Sequence, residues 1–139
     1  MNNKIVIGLL GDDIPLRAKV TKAFVDIGFH KTSVASKTNE LAKYLLPGDI
    51  FPEETIQQIR ERGYKVSNYY WINLVLASVP DNKDLIIVDD LQEKDIIDGV
   101  IISYRVVDKD QPDDHNAINA NSDNLEVDVH NKIKRIAAN

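Results

Sequence analysis

Two short aliphatic runs constrain the fold of this chain more than any other feature. The first spans Lys4 to Leu10 and the second spans Asp84 to Asp90, and both are bounded by polar residues. Apolar runs of this length are typical of strands that are buried on both faces of a parallel sheet. Two such strands require a layer of covering elements on each side of the sheet.

Segments with helical periodicity lie between and around these runs. Each begins near a residue that can cap a helix, and most end at Gly or Pro. The predicted helices run from an Asp12 or Asp13 cap to Gly28, from a Ser36 or Thr38 cap to Pro47-Gly48, from Pro52 to Arg62 with Gly63 at the end, from Asn68 to Pro80, from Glu93 to Asp98, and onward from a Ser122 cap. Further strands are predicted for Phe29 to Ala35, Val100 to Val107 and Ala117 to Ala120.

The alternation of strands and helices predicts an α/β fold. Strands that are separated by helices pair in parallel, and the helices pack on both faces of the sheet. A chain of 139 residues has the size of one domain. We therefore expect a single domain, residues 1–139, with a three-layer αβα architecture and a mainly parallel sheet.

Acidic residues are concentrated in one part of the chain. The formal net charge is -5, but residues 81–128 carry four Lys and Arg against fourteen Asp and Glu, a net charge of -10. This stretch would repel a phosphate backbone, so direct nucleic-acid binding is disfavoured and a basic protein partner is easier to accommodate. No apolar run is long enough to span a membrane and no signal-peptide pattern precedes the first strand, so we expect a cytoplasmic protein. The absence of cysteine excludes thiolate catalysis.

The turn after the first strand is the first place to look for a ligand, because α/β folds bind ligands beyond the carboxyl ends of their strands. A phosphate-binding loop of the pattern G-x-x-x-x-G-K-[ST] needs two glycines for backbone freedom, a lysine for charge and a hydroxyl for magnesium. Counted from Gly11, this chain has Leu16, Arg17 and Ala18 at the last three positions. Only the first glycine and a positive charge remain.

Two carboxylates also lie where a phosphate would bind. A carboxylate about 5 Å from a phosphate charge costs about 3 kcal/mol at an effective dielectric constant near 20, and Asp12 and Asp13 would both repel the anion. The alternative is that Asp13 caps the first helix with its own side chain. We expect this structural role, which leaves Gly8, Gly11, Asp12, Asp13 and Arg17 as vestigial phosphate-loop positions.

An ordered series of segments carries a family resemblance. The segments are Lys4–Gly11, Val20–Phe24, Gly28–Ser36, Glu40–Ala42, the Tyr-Trp-Ile-Asn run at 70–73, Leu85–Asp90, Asp114-His115, and the closing strand and helix. Together they resemble the phage-type deoxynucleoside monophosphate kinases, within the wider P-loop kinases that include dephospho-coenzyme A kinase. The resemblance implies a shortened, P-loop-kinase-like fold and a phage or mobile-element origin.

The departures from this family fall on positions that contact phosphate. Beside the lost loop residues, Gln92 replaces a family arginine, and Asn116-Ala117 replaces a Ser-Glu pair. Only Pro47 to Val66 are available for the region that holds the acceptor nucleotide in the family. A scaffold that is retained while its phosphoryl-transfer residues are lost implies a non-catalytic descendant.

Two acidic clusters are further candidates. The first is at the end of the second aliphatic run, where P-loop enzymes keep a magnesium-side carboxylate, so it is either a residual nucleotide or metal site or an acidic strand end. The second is in a polar loop, where we expect a solvated loop rather than a metal site, because adjacent side chains rarely converge on one ion. Under the preferred hypothesis below, it is the candidate contact with a partner. The residues are Asp89, Asp90 and Gln92 in the first cluster, and Asp108, Asp110, Asp113, Asp114 and His115 in the second.

The aromatic run Tyr69, Tyr70 and Trp71 lies on an apolar predicted helix. Core packing is the expected role of these side chains, and an interface contact by one of them is the alternative. No Ser or carboxylate lies at a recognisable triad spacing from His30 or His130, so nucleophilic catalysis has no support.

These observations lead to one preferred hypothesis and two alternatives. The preferred hypothesis is a non-catalytic, kinase-like protein without a cofactor that binds another macromolecule or packs into an oligomer or larger assembly, in the host-cell cytoplasm or a virion. The first alternative is an active or weakly active (deoxy)nucleoside monophosphate kinase that uses ATP and magnesium, with Arg17 in place of the loop lysine and Asp90 on the metal. The second is an acidic inhibitor of a nucleic-acid-binding protein.

Overall fold

The computed structural model describes residues 4–48 and 51–138. In this part of the chain, parallel strands and α-helices follow one another much as the sequence predicts. The strands are β1 (Ile5–Leu10), β2 (His30–Thr32), β3 (Leu85–Val88), β4 (Ile101–Val107) and β5 (Ala117–Asn119). The helices are α1 (Ile14–Asp26), α2 (Val34–Leu45), α3 (Glu53–Val66), α4 (Tyr70–Ala77) and α5 (Leu125–Ala138), and a 3-10 turn covers Glu93–Asp95.

The strands form one parallel sheet in the order β2-β3-β1-β4-β5. β1 is central, so that Ile7 lies opposite Ile87 of β3 on one side and Ile102 of β4 on the other. The chain leaves β1 toward β2, and later crosses β1 on its way from β3 to β4. Ligand-binding crevices of α/β folds form where the winding changes direction in this way, at the carboxyl ends of the strands.

Alternate side chains of the sheet pack into two separate cores. Ile7 and Leu9 share one buried cluster with Phe24 of α1 and Val129 of α5. Residues of the opposite face share a second cluster with α2, α3 and α4, which includes Val6, Ile86, Val34, Tyr64, Trp71 and Ile72. The three-layer αβα architecture with a parallel sheet is therefore confirmed.

The start of α2 differs from the prediction. The strand before it is only three residues long, and the helix begins at Val34 with Ser33 as its cap, rather than at Ser36 or Thr38. The Ser33 hydroxyl accepts a hydrogen bond from the Ser36 backbone N–H at 3.1 Å, while Thr38 is buried and donates to the Ala35 carbonyl. The first two α2 amides gain an acceptor in Asp90, which follows β3, and this contact lets the helix begin at Val34.

Gly63 does not end α3, which continues to Val66. A Cβ atom at residue 63 would lie 2.3 Å from Nε1 of Trp71, so the glycine allows the indole ring to pack directly on the helix backbone. The same indole N–H donates to the Arg60 carbonyl at 2.8 Å. Trp71 is 1% exposed, which confirms core packing for this residue, whereas Tyr69 is 42% exposed.

Two other helical segments are shorter than predicted. The expected helix from Glu93 to Asp98 is only a 3-10 turn, because the Asp95 carboxylate folds back to accept the Gln92 backbone N–H at 2.8 Å. The last helix begins at Leu125. Ser122 lies before it and accepts the Asn124 N–H at 3.1 Å in a local turn.

Candidate functional site

A central cleft of about 660 Å³ opens at the carboxyl ends of β1, β3 and β4. This volume lies in the range of about 300–1,000 Å³ that small-ligand sites occupy. The residues that line the central cleft are Leu10, Gly11, Asp12, Ile14, Arg17, Glu53, Gln57, Arg60, Asp90, Leu91, Gln92, Glu93, Ser103, Arg105 and Asn116. The structure thus places most of the predicted loop residues and two of the three residues after β3 in one cavity.

Gly8 lies in β1 and has a packing role. It is buried, and a Cβ atom on it would lie 2.1 Å from Cδ1 of Leu91 and 3.1 Å from Cγ2 of Ile101. The glycine therefore lets the segment after β3 and the neighbouring strand approach the centre of the sheet closely. Its backbone is committed to the sheet, where it pairs with Val88 and Ser103.

The turn between β1 and α1 is only three residues long, from Gly11 to Asp13. Gly11 has a φ of +144°, and a Cβ there would lie 3.3 Å from the Val106 carbonyl oxygen, so glycine is favoured at this position. The helix begins at Ile14, so the positions that a phosphate loop leaves as flexible backbone are already helical in this chain. Leu16 and Arg17 lie in the first turn of α1.

Two amides in the first turn of α1 have acceptors within the chain. Asp13 Oδ1 accepts the Leu16 N–H at 3.1 Å, and the Asp13 carbonyl accepts the Arg17 N–H at 3.0 Å. Pro15 has no N–H to offer. The predicted Asp13 cap is confirmed. A phosphate that bound the Leu16 N–H would have to displace the Asp13 carboxylate.

Arg17 lines the central cleft. Its Nε atom is buried without a hydrogen-bond partner in the described part of the chain. Asp89 lies near enough that the Arg17 charge favours its ionised form, and Lys31 Nζ lies 3.6 Å from the same carboxylate. Burial and the neighbouring Asp90 outweigh both cations and raise the pKa of Asp89 above its ordinary value.

Asp90 serves as a cap for α2. Its two carboxylate oxygens accept the backbone N–H groups of Val34 and Ala35 at 2.7 and 2.8 Å. Arg60 Nη1 lies 3.9 Å from Oδ2, and the Asp90 side chain is only 13% exposed. Each Asp90 oxygen thus accepts one backbone N–H from the first turn of α2.

Arg60 connects α3 to the segment after β3. Its Nη2 donates to the Asp90 carbonyl at 2.9 Å and to Asp95 Oδ2 at 3.2 Å. Its Nε donates to the Tyr64 hydroxyl at 3.0 Å, and that hydroxyl donates to Asp95 Oδ2 at 2.9 Å. Burial is the largest cause that raises the pKa of Tyr64. The sequence analysis missed this network, although Arg60 and Tyr64 are one helical turn apart and so share a face of α3.

Gln92 has a structural backbone role and a side chain in the central cleft. Its N–H donates to Asp95, which is fully buried and holds the turn after β3 against α3. The second oxygen of Asp95 has no hydrogen-bond partner in the described residues. The neutral Gln92 side chain lines the central cleft.

The acidic loop, residues 108–116, connects β4 to β5 at the edge of the sheet. Asp114 pairs with Arg105 and accepts the Asn116 N–H at 2.9 Å, and Asp110 accepts the Asn119 side-chain amide at 2.9 Å. Two of the predicted contact residues therefore stabilise the loop itself. The other three, Asp108, Asp113 and His115, are exposed, and their role in binding stays a prediction.

Within residues 4–48 and 51–138, no three His, Asp or Glu side chains converge in a way that could hold a metal ion. No helix in this part of the chain is long and apolar enough to cross a membrane. No protein-family model, curated protein or solved structure matches the chain.

Proposed function

We propose that this chain is a non-catalytic relative of the P-loop kinases that acts by binding a protein partner. The single observation that carries the proposal is the self-capped start of α1. Asp13 fills the role that a bound phosphate would have, and its negative charge repels any phosphate that approaches. The kinase resemblance, the phage origin and a place in the host cytoplasm or a virion belong to the same proposal.

Phosphoryl transfer depends on positioned phosphates and on charge that stabilises the transition state. The turn before α1 is short, Arg17 replaces a lysine, and Asp90 is engaged by α2 and Arg60. A kinase would need all three features changed. A protein that has lost these elements but keeps a well-packed core is better suited to present a surface.

Calorimetric titration of the full chain with ATP and with deoxynucleoside monophosphates, with and without magnesium, tests this proposal. We expect no heat of binding at millimolar ligand, because the Asp13 carboxylate occupies the Leu16 amide and repels phosphate. The matched variant Arg17→Ala removes the remaining loop cation, and we expect it to give the same flat titration.

Magnesium-dependent binding at micromolar nucleotide that is lost in Arg17→Ala would contradict the proposal. It would support the alternative of an active or weakly active nucleotide kinase. A phosphotransferase assay with ATP and each deoxynucleoside monophosphate would then measure the activity directly.

A further inference from the structure

A second cavity, of about 350 Å³, lies between the edge of the sheet and α5. We call it the α5 groove, and the residues that line it are Ile102, Tyr104, His115, Asn116, Arg135 and Ile136. Ile102 and Tyr104 alternate along β4 with Ser103 and Arg105, which line the central cleft. Because successive side chains of a strand point to opposite faces, the α5 groove lies on the other face of β4 from the central cleft.

Tyr104 brings a hydroxyl without a partner to this groove. The residue is 6% exposed, and its hydroxyl makes no hydrogen bond within the described residues. Burial raises the pKa of this hydroxyl and the charge of Arg135 opposes the rise, so the hydroxyl is a protonated donor at neutral pH. Polar groups of buried residues are nearly always hydrogen-bonded. This donor therefore indicates an acceptor that the described residues do not supply.

Two cations of α5 lie beside Tyr104. Lys132 Nζ lies 5.0 Å from the centroid of the Tyr104 ring and donates to the His115 carbonyl at 3.0 Å. Arg135 lines the α5 groove almost one helical turn later. Across residues 4–48 and 51–138, neither cation forms an ion pair. The groove thus combines positive charge with a neutral donor.

The two cations also act on each other. Burial and the charge of Arg135 lower the pKa of Lys132, and Asp128 and Asp114 offset only part of this change. Like charges that are held near one another disfavour the charged form, and an opposite charge restores it. An anion in the α5 groove would therefore relieve the repulsion between Lys132 and Arg135.

The remaining walls of the groove are apolar. Ile102 and Ile136 are partly buried and pack against the core cluster that contains Tyr104. A cavity of about 350 Å³ falls in the range of about 300–1,000 Å³ for small-ligand sites, which combine apolar walls with a few polar groups. The walls match a ligand that carries its charge at one end of an apolar body.

We propose that the α5 groove binds a small organic monocarboxylate. The planar guanidinium of Arg135 donates to the carboxylate, the Tyr104 hydroxyl donates to one of its oxygens, and Ile102 and Ile136 contact the apolar body. A single negative charge is favoured over the double charge of a phosphate ester, because Asp128 also acts on this site. The site is separate from the central cleft and does not depend on the proposed function.

The test is a titration of the ¹⁵N-labelled full chain with benzoate, and benzamide is a neutral control of nearly equal shape. We expect benzoate to shift the amide signals of His115, Asn116 and Arg135 saturably, and benzamide to bind about tenfold more weakly or less. The signals of Gly11 and Gln92 in the central cleft should not move. Inorganic phosphate, an anion without an apolar body, should bind more weakly than benzoate.

Three variants locate the contact. Arg135→Gln should weaken benzoate about tenfold, whereas Lys134→Gln, an equal charge change at an exposed residue of the same helix outside the groove, should leave the affinity within about twofold. Tyr104→Phe removes only the hydroxyl and should weaken benzoate about fivefold or more. Because this hydroxyl has no partner in the described part of the chain, the melting temperature of the free protein should stay nearly unchanged.

The proposal is overturned if benzoate gives no saturable shift at millimolar concentration, if benzamide or phosphate binds as well as benzoate, or if Tyr104→Phe leaves the affinity unchanged. Equal losses in Arg135→Gln and Lys134→Gln would show only a general charge effect and would also overturn it. These outcomes leave the proposed function intact, because that function is tested by nucleotide binding in the central cleft, on the other face of β4.

Discussion

The two helices that begin at the carboxyl edge of the sheet, α1 and α2, both have an aspartate that accepts first-turn amides, and in α2 this aspartate adds a second cap to that of Ser33. The two aspartates come from different distances along the chain. Asp13 caps α1 from the adjacent position in the sequence and bonds the N–H three residues later. Asp90 reaches the first amides of α2 from 56 residues away. The comparison teaches that a helix start can be closed to a ligand either by its own sequence or by the tertiary fold.

The two caps also differ in their surroundings. Asp13 is exposed and makes a single bond to an amide. Asp90 is 13% exposed, makes two bonds to amides and lies beside Arg60. Charge-assisted hydrogen bonds are stronger when water is excluded from them. We therefore expect α2 to depend on its cap more than α1 does.

The largest effect is expected from Arg60→Met, which removes the cation behind the α2 cap and leaves the amide bonds of Asp90 in place. The fully buried Asp95 would lose its charge partner, and removal of one member of a buried ion pair costs about 3–5 kcal/mol. Urea denaturation measures the change. Adding Asp95→Asn should recover part of the loss, and a loss below about 1 kcal/mol in the single variant would contradict the assigned role of Arg60.

Asp90→Ala breaks the α2 cap itself. Two amide N–H groups lose charged acceptors, and we expect the free energy of unfolding to fall by about 2–3 kcal/mol. Hydrogen exchange should locate the change at the first turn of α2. An exchange rate for Val34 and Ala35 that does not differ from that of the unaltered chain would show that the cap contributes little.

Asp13→Ala breaks the α1 cap, and we expect a smaller loss of about 1 kcal/mol, the usual value for an exposed cap. The same denaturation experiment measures it, and Asp12→Ala is the control, since Asp12 makes no side-chain hydrogen bond in the described residues. If Asp13→Ala lowers the free energy of unfolding more than Asp90→Ala does, the expectation that α2 depends more on its aspartate than α1 does is wrong.

The smallest effect is expected at Asp89, the neighbour of the α2 cap. Its raised pKa means that the folded state holds the proton more tightly than the unfolded state, so this residue lowers stability as the pH rises from its ordinary pKa of 3.8 through the raised value. Asp89→Asn should therefore raise the melting temperature at neutral pH, and the gain should vanish in acid below that window. A lower melting temperature at neutral pH would mean that the pair with Lys31 dominates.

The elements whose causes are local could be predicted from the sequence. The aliphatic runs, the α1 start and the Asp13 cap all follow from neighbouring residues, and each is confirmed. The wrong helix boundaries arise where a residue that is distant in the sequence determines where a helix begins or ends. Asp90 bonds the Val34 amide, so α2 begins earlier in the sequence than predicted. Trp71 packs on Gly63, and α3 continues past this glycine.

The candidate site also contains residues that could be predicted from neighbouring sequence and residues that could not. The glycine turn, the helix cap and the position of Arg17 could be expected from motif spacing, because these residues are consecutive. The joint placement of Asp12, Glu53 and Glu93 around one cleft could not, since it depends on how three separate segments converge at the end of the sheet. The Arg60 network was hidden for the same reason, because Asp95 lies 35 residues further along the chain.

The most direct test of the central claim is the backbone amide signal of Leu16 in the ¹⁵N-labelled chain as magnesium ATP is added. The Leu16 N–H is the donor that Asp13 occupies, so a phosphate that bound at this helix start would have to take its place. We predict that the signal does not move up to millimolar nucleotide. A saturable shift of Leu16 and Arg17 would show that phosphate displaces the Asp13 carboxylate, and would contradict the claim that the chain has closed this site.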